Sequence, residues 1–304
     1  MQRRQFLQQT VAASALVGLS GLNLTSCNVK TSKKITILHT NDVHSHIDPF
    51  GPNDGRNPNQ GGVARRANLI SSIRKENPNT LLLDAGDIFQ GTPYFNYYGG
   101  ELEFKLMSML KYDVATIGNH DFDNSIEGLY AQLPHAKFDF VSANYDFSNT
   151  ILDTHVKPYR ILIKDGIKIG VFGLGIQLDG LVEKRMYKET VYLDPIEISQ
   201  EMTRILKDNE KCDLIICLSH LGYNYRNRSE KISDLKLAGL TKDIDLIIGG
   251  HTHTFLKKPT VVKNSEGTNM LINQVGCYGI NLGKIDFYFD SNKNKVAEGR
   301  SIIV

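Results

Sequence analysis

The chain has 304 residues, 41% hydrophobic and 22% charged, an ordinary globular composition with enough apolar mass for one large buried core rather than a disordered chain. Lysine and arginine number 35 against 33 acidic residues, a formal charge of +2, so no basic excess points to a nucleic acid held through its phosphates.

Arg3-Arg4-Gln5-Phe6-Leu7 leads into a weakly apolar run over residues 11–24 and then Leu24-Thr25-Ser26-Cys27. Gly18, Ser20, Gly21 and Asn23 break that run, which falls short of the roughly 20 residues a membrane-spanning helix requires. We read residues 1–27 as an export signal ending in a lipobox, removed up to Cys27, which then carries the lipid. The paired arginines resemble a twin-arginine signal, although Gln2 and Gln8 depart from its commonest flanks; the alternative is two charges of a general secretory signal. Both routes end outside the cytoplasm, in the periplasm or on the cell surface, with the protein anchored to the membrane by lipid. Residues 28–34 form a polar tether.

From residue 35 the pattern alternates: strand 35–39, strand 81–83 and helix 101–109, strand 114–117 and helix 125–133, strand 137–143, strand 214–218 and helix 229–237. Such alternation predicts an α/β architecture with its site outside the carboxyl ends of the strands. Two hairpins add strands in excess of helices, one over residues 159–174 turning at Lys164-Asp165-Gly166, the other pairing 283–289 with 300–304 across a polar turn at 290–294. Two mixed sheets packed face to face with helices outside, four layers in all, fit that count better than one doubly wound sheet. The glycine-, proline- and asparagine-rich stretch 48–60 reads as a surface loop bordering the substrate entrance. Cys212 and Cys217 lie at opposite ends of one predicted strand, roughly 16 Å apart, too far to bridge each other. With Cys277 they read as buried thiols without metal spacing.

Five segments deliver metal-type ligands directly after apolar strands: Asp42-Val43-His44, Asp84-Ala85-Gly86-Asp87, Gly118-Asn119-His120-Asp121, Ser219-His220 and Gly250-His251-Thr252-His253. Taken singly these are weak, since Asp87 alone reads as a turn or helix cap. Two imidazoles one residue apart in an extended segment point the same way, however, and the preceding glycines let the backbone turn. His120 offers an acid to a leaving group, and Asp123, three residues on, lies within reach of the imidazole. Of nine histidines five fall in these motifs; His39, His135 and His155 read as core or surface, and His46 as a residue bordering the site.

In this order the motifs resemble the calcineurin-like metallophosphoesterases. The wording Ile37-Leu38-His39-Thr40-Asn41-Asp42-Val43-His44, Asp84-Ala85-Gly86-Asp87-Ile88-Phe89-Gln90-Gly91-Thr92 and Gly118-Asn119-His120-Asp121-Phe122-Asp123-Asn124 resembles their 5'-nucleotidase branch. The resemblance implies a metallophosphatase sandwich over residues 35–304 and two divalent ions. One ion would be held by Asp42, His44, Asp87 and His253, the other by Asp87, Asn119, His220 and His251, with Asp87 bridging. A mixture of imidazole, carboxylate and amide ligands suits zinc, manganese or iron and not calcium. It further implies hydrolysis of nucleoside monophosphates by a metal-activated hydroxide, with His120 protonating the departing oxygen and Asp123 orienting it. Asn119, Gln90 and Asn96 would face phosphate and ribose. The branch's carboxy-terminal nucleotide-recognition domain has no counterpart in this chain, which leads us to expect either a separate chain carrying it, the reading we favour, or hydrolysis with little base selectivity. The alternatives are a hydrolase of UDP-sugars or cyclic nucleotides, a thiosulfohydrolase-like enzyme, and a metal-stabilised binding module without turnover. Against the last stands the intact His120 and Asp123 pair, for which a purely structural metal site has no use.

Overall fold

The computed structural model describes residues 33–228 and 230–304. The export signal, Cys27 and tether residues 28–32 lie outside the described residues, and among the described residues no helix is long and apolar enough to cross a membrane. The tether's last two residues instead open strand β1 (Lys33–Thr40), where Lys33 pairs with Phe289 and Lys34 with Tyr288.

In chain order there follow α1 (Val63–Glu76), β2 (Thr80–Asp84), α2 (Pro93–Tyr98), α3 (Glu101–Met109), β3 (Val114–Ala115), α4 (Ser125–Gln132), β4 (Asp139–Phe140) and β5 (Tyr145–Asp146). The second half holds β6 (Tyr159–Lys164), β7 (Ile167–Leu174), α5 (Lys184–Tyr187), β8 (Val191–Tyr192), α6 (Pro195–Arg204), β9 (Leu214–Ser219), α7 (Asp234–Leu240), β10 (Leu246–Gly249), β11 (Thr260–Lys263), β12 (Asn269–Asn273), β13 (Asn281–Phe289) and β14 (Lys295–Ile303). Two mixed six-stranded sheets run β14-β13-β1-β2-β3-β4 and β11-β12-β10-β9-β7-β6. In each, four adjacent strands are parallel; the antiparallel pairings are made by β13 and β14, both beyond β1, in the first sheet and by β11 and β6, one at each edge, in the second.

Side-chain alternation decides which residues fill which layer. Ile35, Ile37, Leu81 and Leu83 of the first sheet meet Ile169, Val171, Ile216 and Ile248 of the second in one fully buried cluster. The opposite face of the first sheet, through Leu38, Leu82 and Ala115, packs on Ile70 and Ile73 of α1, Phe104 of α3 and Leu129 of α4. The second sheet turns Phe172, Ile215, Cys217 and Ile247 toward Met202 of α6 and Leu237 of α7. The expected four-layer α/β/β/α sandwich is therefore the observed one, and Cys212, Cys217 and Cys277 are buried free thiols.

Several boundaries differ from the expected ones. The helix placed at 229–237 starts at Asp234, because Ser233 is extended and its hydroxyl caps the first turn. The strand placed at 137–143 pairs with β3 over Asp139 and Phe140 alone, Val141 making a single bridge to Lys157, and the closing strand extends back to Lys295, where Asp290 accepts bonds from the Asn292 and Asn294 backbone and closes a tight turn. Helix α1, absent from the sequence reading, carries Arg74 and Lys75 in its last turn, where they complement the helix dipole.

His39 of β1 is fully buried between the sheets, its Nε2 bonded to Asn273 of β12 at 2.9 Å. Its β13 neighbour is Gly283, where a Cβ would collide with the imidazole. Burial pushes the His39 pKa down to about 3. The unfolded chain binds this proton near pH 6.5 and the folded chain does not, so the contribution is full above pH 6.5 and lost as pH falls toward 3. At pH 5.5 the loss is about 1.4 kcal/mol, set by the unfolded pKa alone. We expect His39→Gln, whose amide oxygen can accept from Asn273, to lose that much less stability than wild type between pH 7.5 and 5.5 in metal-free denaturant titrations.

Candidate metal centre

Every metal-type ligand of the sequence motifs lies just past a strand: Asp42 and His44 after β1, Asp87 after β2, Asn119 and His120 after β3, His220 after β9, His251 and His253 after β10. These are the carboxyl ends of parallel strands in both sheets, where open α/β folds leave a crevice. Asp42, His44, Asp87, His251 and His253 all adopt left-handed backbone, with φ between 49° and 69°. Non-glycine residues persist there only when the surroundings fix them. Close approach of two loops adds a second constraint: at Gly118 a Cβ would overlap the Asp87 carboxylate.

Two groups result, Asp42 with His44 and His253, and Asp87 with His220 and His251, the candidate ligand atoms within each lying inside 4.8 Å of one another. His44 Nε2 is 3.0 Å from His253 Nε2, and Asp42 Oδ1 is 3.4 Å from the latter. Asp87 joins the groups, since its Oδ2 is 3.0 Å from His220 Nε2 and 3.8 Å from His44 Nε2. Asn119 Oδ1 is 2.9 Å from His251 Nδ1, which brings the amide into the second group.

The donor chemistry fits divalent ions. His220 Nδ1 lies 2.7 Å from the Ala85 carbonyl and donates to it, which leaves Nε2 as a bare lone pair. That atom is buried, has no hydrogen-bond partner among the described residues, and faces a carboxylate oxygen 3.0 Å away. A lone pair aimed at an anion is repulsive unless a cation, proton or metal stands between them. Without metal the proton takes that place: burial opposes charge on His220, but the Asp87 carboxylate outweighs it and lifts the imidazole to about 10. His253 likewise rises to about 10, burial being outweighed by Asp42.

The surrounding shell holds each ligand in place. Asn41 donates to Asp42 Oδ2 and to the Gly276 carbonyl, both at 2.6 Å, and the His251 backbone N–H donates to both Asp42 oxygens at 2.9 and 3.1 Å. His44 Nδ1 donates to the Phe89 carbonyl at 3.2 Å. Asp87 Oδ1 accepts from the His120 backbone N–H at 2.8 Å, so Oδ2 is the oxygen that faces the histidines. His120 Nδ1 is 2.8 Å from Asp123 Oδ2, and that bond raises its pKa against the opposing effect of burial. The half-exposed His120 ring lies 5.3 Å from that of His44. His46 borders the site at one remove: it packs on Tyr278 at 4.3 Å, and Tyr278 lies 6.0 Å from His44 and 5.9 Å from His253. Gln90 follows Phe89 in left-handed backbone. Asn96 is exposed on α2, and among the described residues no hydrogen bond links it to either group.

Sequence reasoning assigned no role to Asp121, although it stands inside a motif. Its two oxygens accept backbone N–H groups from Asp87, Ile88, Phe89 and Gly118 at 2.8–3.1 Å, tying the β2 loop to the β3 loop. The only available signal was its position beside His120. Asp121→Asn would turn an amide N–H against one pair of these donors, and we expect about 10–100-fold weaker metal retention, measured as residual metal after dialysis against a chelator; full retention would contradict the role.

A family model described as Calcineurin-like phosphoesterase matches residues 35–255. The trifunctional nucleotide phosphoesterase protein YfkN of Bacillus subtilis is 36% identical over 84% of this chain and 18% of its own length. Human 5'-nucleotidase is 31% identical over 87% of this chain and 48% of its own length. Among solved structures, a 5'-nucleotidase precursor from Thermus thermophilus superimposes with a TM-score of 0.81 at 34% identity, covering 90% of this chain and 55% of that one. The chain thus spans about half, or less, of the length of these relatives.

Proposed function

The chain belongs to the calcineurin-like phosphoesterase family, and from that premise we propose that it is a two-metal phosphomonoesterase acting on nucleoside monophosphates. The observation that carries this reading is the His120–Asp123 pair, 2.8 Å apart, next to two ligand groups that share Asp87. Asp42, His44, Asp87 and His253 would hold one divalent ion, and Asp87, Asn119, His220 and His251 the other; zinc, manganese or iron suits this donor set. When bound, the ions supply an activated water and positive charge for the phosphate oxygens.

The chain's own groups do the rest. His120 holds a proton on Nε2 while Asp123 accepts from Nδ1, so the imidazole is oriented to protonate the departing ribose oxygen. The Asp87 carboxylate fixes the His120 backbone through Oδ1. Asn119, Gln90 and Asn96 are the proposed contacts to phosphate and ribose.

Export with lipidation at Cys27 belongs to the same proposal and is supported by the sequence of residues 1–27 alone; Cys27→Ser should move the protein out of the membrane fraction. A separate chain that recognises the nucleobase is also proposed. The deciding experiment follows the hydrolysis of AMP, UDP-glucose, cyclic AMP and an aryl phosphate by residues 28–304, loaded with manganese or zinc, with the products separated by chromatography. Preference for AMP supports the reading and makes a base-reading partner unnecessary. Activity on the aryl ester alone places recognition on another chain, and hydrolysis of UDP-glucose or cyclic AMP without hydrolysis of AMP overturns the monophosphate assignment.

A further inference from the structure

Arg66 of α1 and Glu103 of α3 are only 4% and 5% exposed, although charged side chains are almost never buried so fully unless paired. Arg66 Nε and Nη1 and both Glu103 carboxylate oxygens are buried without a hydrogen-bond partner among the described residues. Both residues line one small cavity of about 20 Å³, together with Val43, Ser45, Asp84 and Tyr112. Asp84 and Tyr112 are already engaged: Asp84 accepts from Thr40 Oγ1 at 2.6 Å and from the Gly86 N–H at 2.9 Å, and the Tyr112 hydroxyl shares a hydrogen bond with Thr40 at 2.7 Å. Burial raises the Glu103 pKa, and the nearby Ser45 hydroxyl opposes that rise.

A buried guanidinium without an acceptor and a buried carboxylate without a donor are each strongly unfavourable. Whatever reconciles them must accept from Arg66 and donate to Glu103. A cation is repelled by Arg66 and an anion by Glu103, whereas water does both, and the 20 Å³ of the cavity exceeds the roughly 10–15 Å³ that one water needs. We infer that one resident water bridges Arg66 to Glu103 and makes the two of them positioning residues for the loop that carries His44. The bridge ties α1 and α3 to Val43 and Ser45, which flank His44, in a loop where Asp42, His44 and Ser45 all hold left-handed backbone. Arg66 also supports Asp42 from a second side: at Gly279 a Cβ would overlap Nη1, and the neighbouring Tyr278 N–H donates to the Asp42 carbonyl at 2.7 Å. The consequence for metal binding rests on the two-ion reading above; the bridge itself does not.

A crystal structure of the metal-loaded protein should show density for one water within hydrogen-bond distance of both Arg66 and Glu103; an empty cavity overturns the bridge. In metal-free protein Arg66→Leu and Glu103→Leu should each lower Tm by about 6–12 °C, because each leaves one buried charge alone, and the double variant should recover most of that loss. Additive losses overturn the coupling. Where the single variants do not fold, a folded double variant shows the same coupling and an unfolded one refutes it. The double variant also separates positioning from packing. With stability recovered but the polar tie gone, it should retain metal about tenfold less well than wild type in dialysis against a chelator; retention equal to wild type overturns the positioning role. A wild type that holds no metal overturns the two-ion reading instead, and the Tm comparison still decides the bridge.

Discussion

Asp87→Ala is expected to strip both ions and to lower phosphate release by about a thousandfold or more, roughly 4 kcal/mol of transition-state stabilisation. One carboxylate oxygen stands 3.0 Å from His220 Nε2 and 3.8 Å from His44 Nε2, so a single truncation removes a candidate ligand that reaches both groups. It also frees the His120 backbone N–H that Oδ1 accepts. Asp87→Asn separates these contributions, because the amide oxygen still accepts from His120 while the bridging charge is gone. Metal content after gel filtration, read beside kcat/KM, checks both variants. Retention of two ions per chain in Asp87→Ala would refute the bridging role.

His120→Ala should behave differently, with kcat lower by about a hundredfold or more and metal content unchanged, the range for a lost general acid. Only the backbone of His120 touches a ligand; its side chain bonds Asp123 and lies half-exposed. The substrate decides the size of the effect. A ribose oxygen leaves poorly without a proton, whereas a nitrophenolate leaves unaided, so the loss on nitrophenyl phosphate should be at least tenfold smaller than on AMP. Equal losses on both substrates would show that His120 acts on the phosphate rather than on the leaving group. Asp123→Asn should keep the ring but loosen its orientation, and fall between wild type and His120→Ala.

Much of this molecule is written locally. Alternating apolar residues set the strands that pack between the sheets, and Asp165-Gly166 and residues 290–294 set two hairpin turns. The short motifs after β1, β2, β3, β9 and β10 named the metal-type ligands, because each pairs ligand residues with an adjacent strand end. What sequence could not supply depends on residues distant along the chain. Strand β4 is two residues long because only Asp139 and Phe140 find partners on β3. Asp121 matters because the β2 loop, over thirty residues earlier, presents three backbone N–H groups to it. The left-handed backbone at Asp42, His44 and Asp87 is paid for by packing between loops, which no propensity records.

The sequence by itself determined the layer order, the candidate ligand residues just past the strands and the His120–Asp123 spacing, since these follow from side-chain period and from residues a few positions apart. Only the tertiary structure decided that Asp87 stands between both ligand groups and that Asp121 ties two loops. The first depends on strand ends of two different sheets, fixed when the sheets pack face to face; the second depends on the neighbouring strands β2 and β3 of one sheet, fixed when they pair.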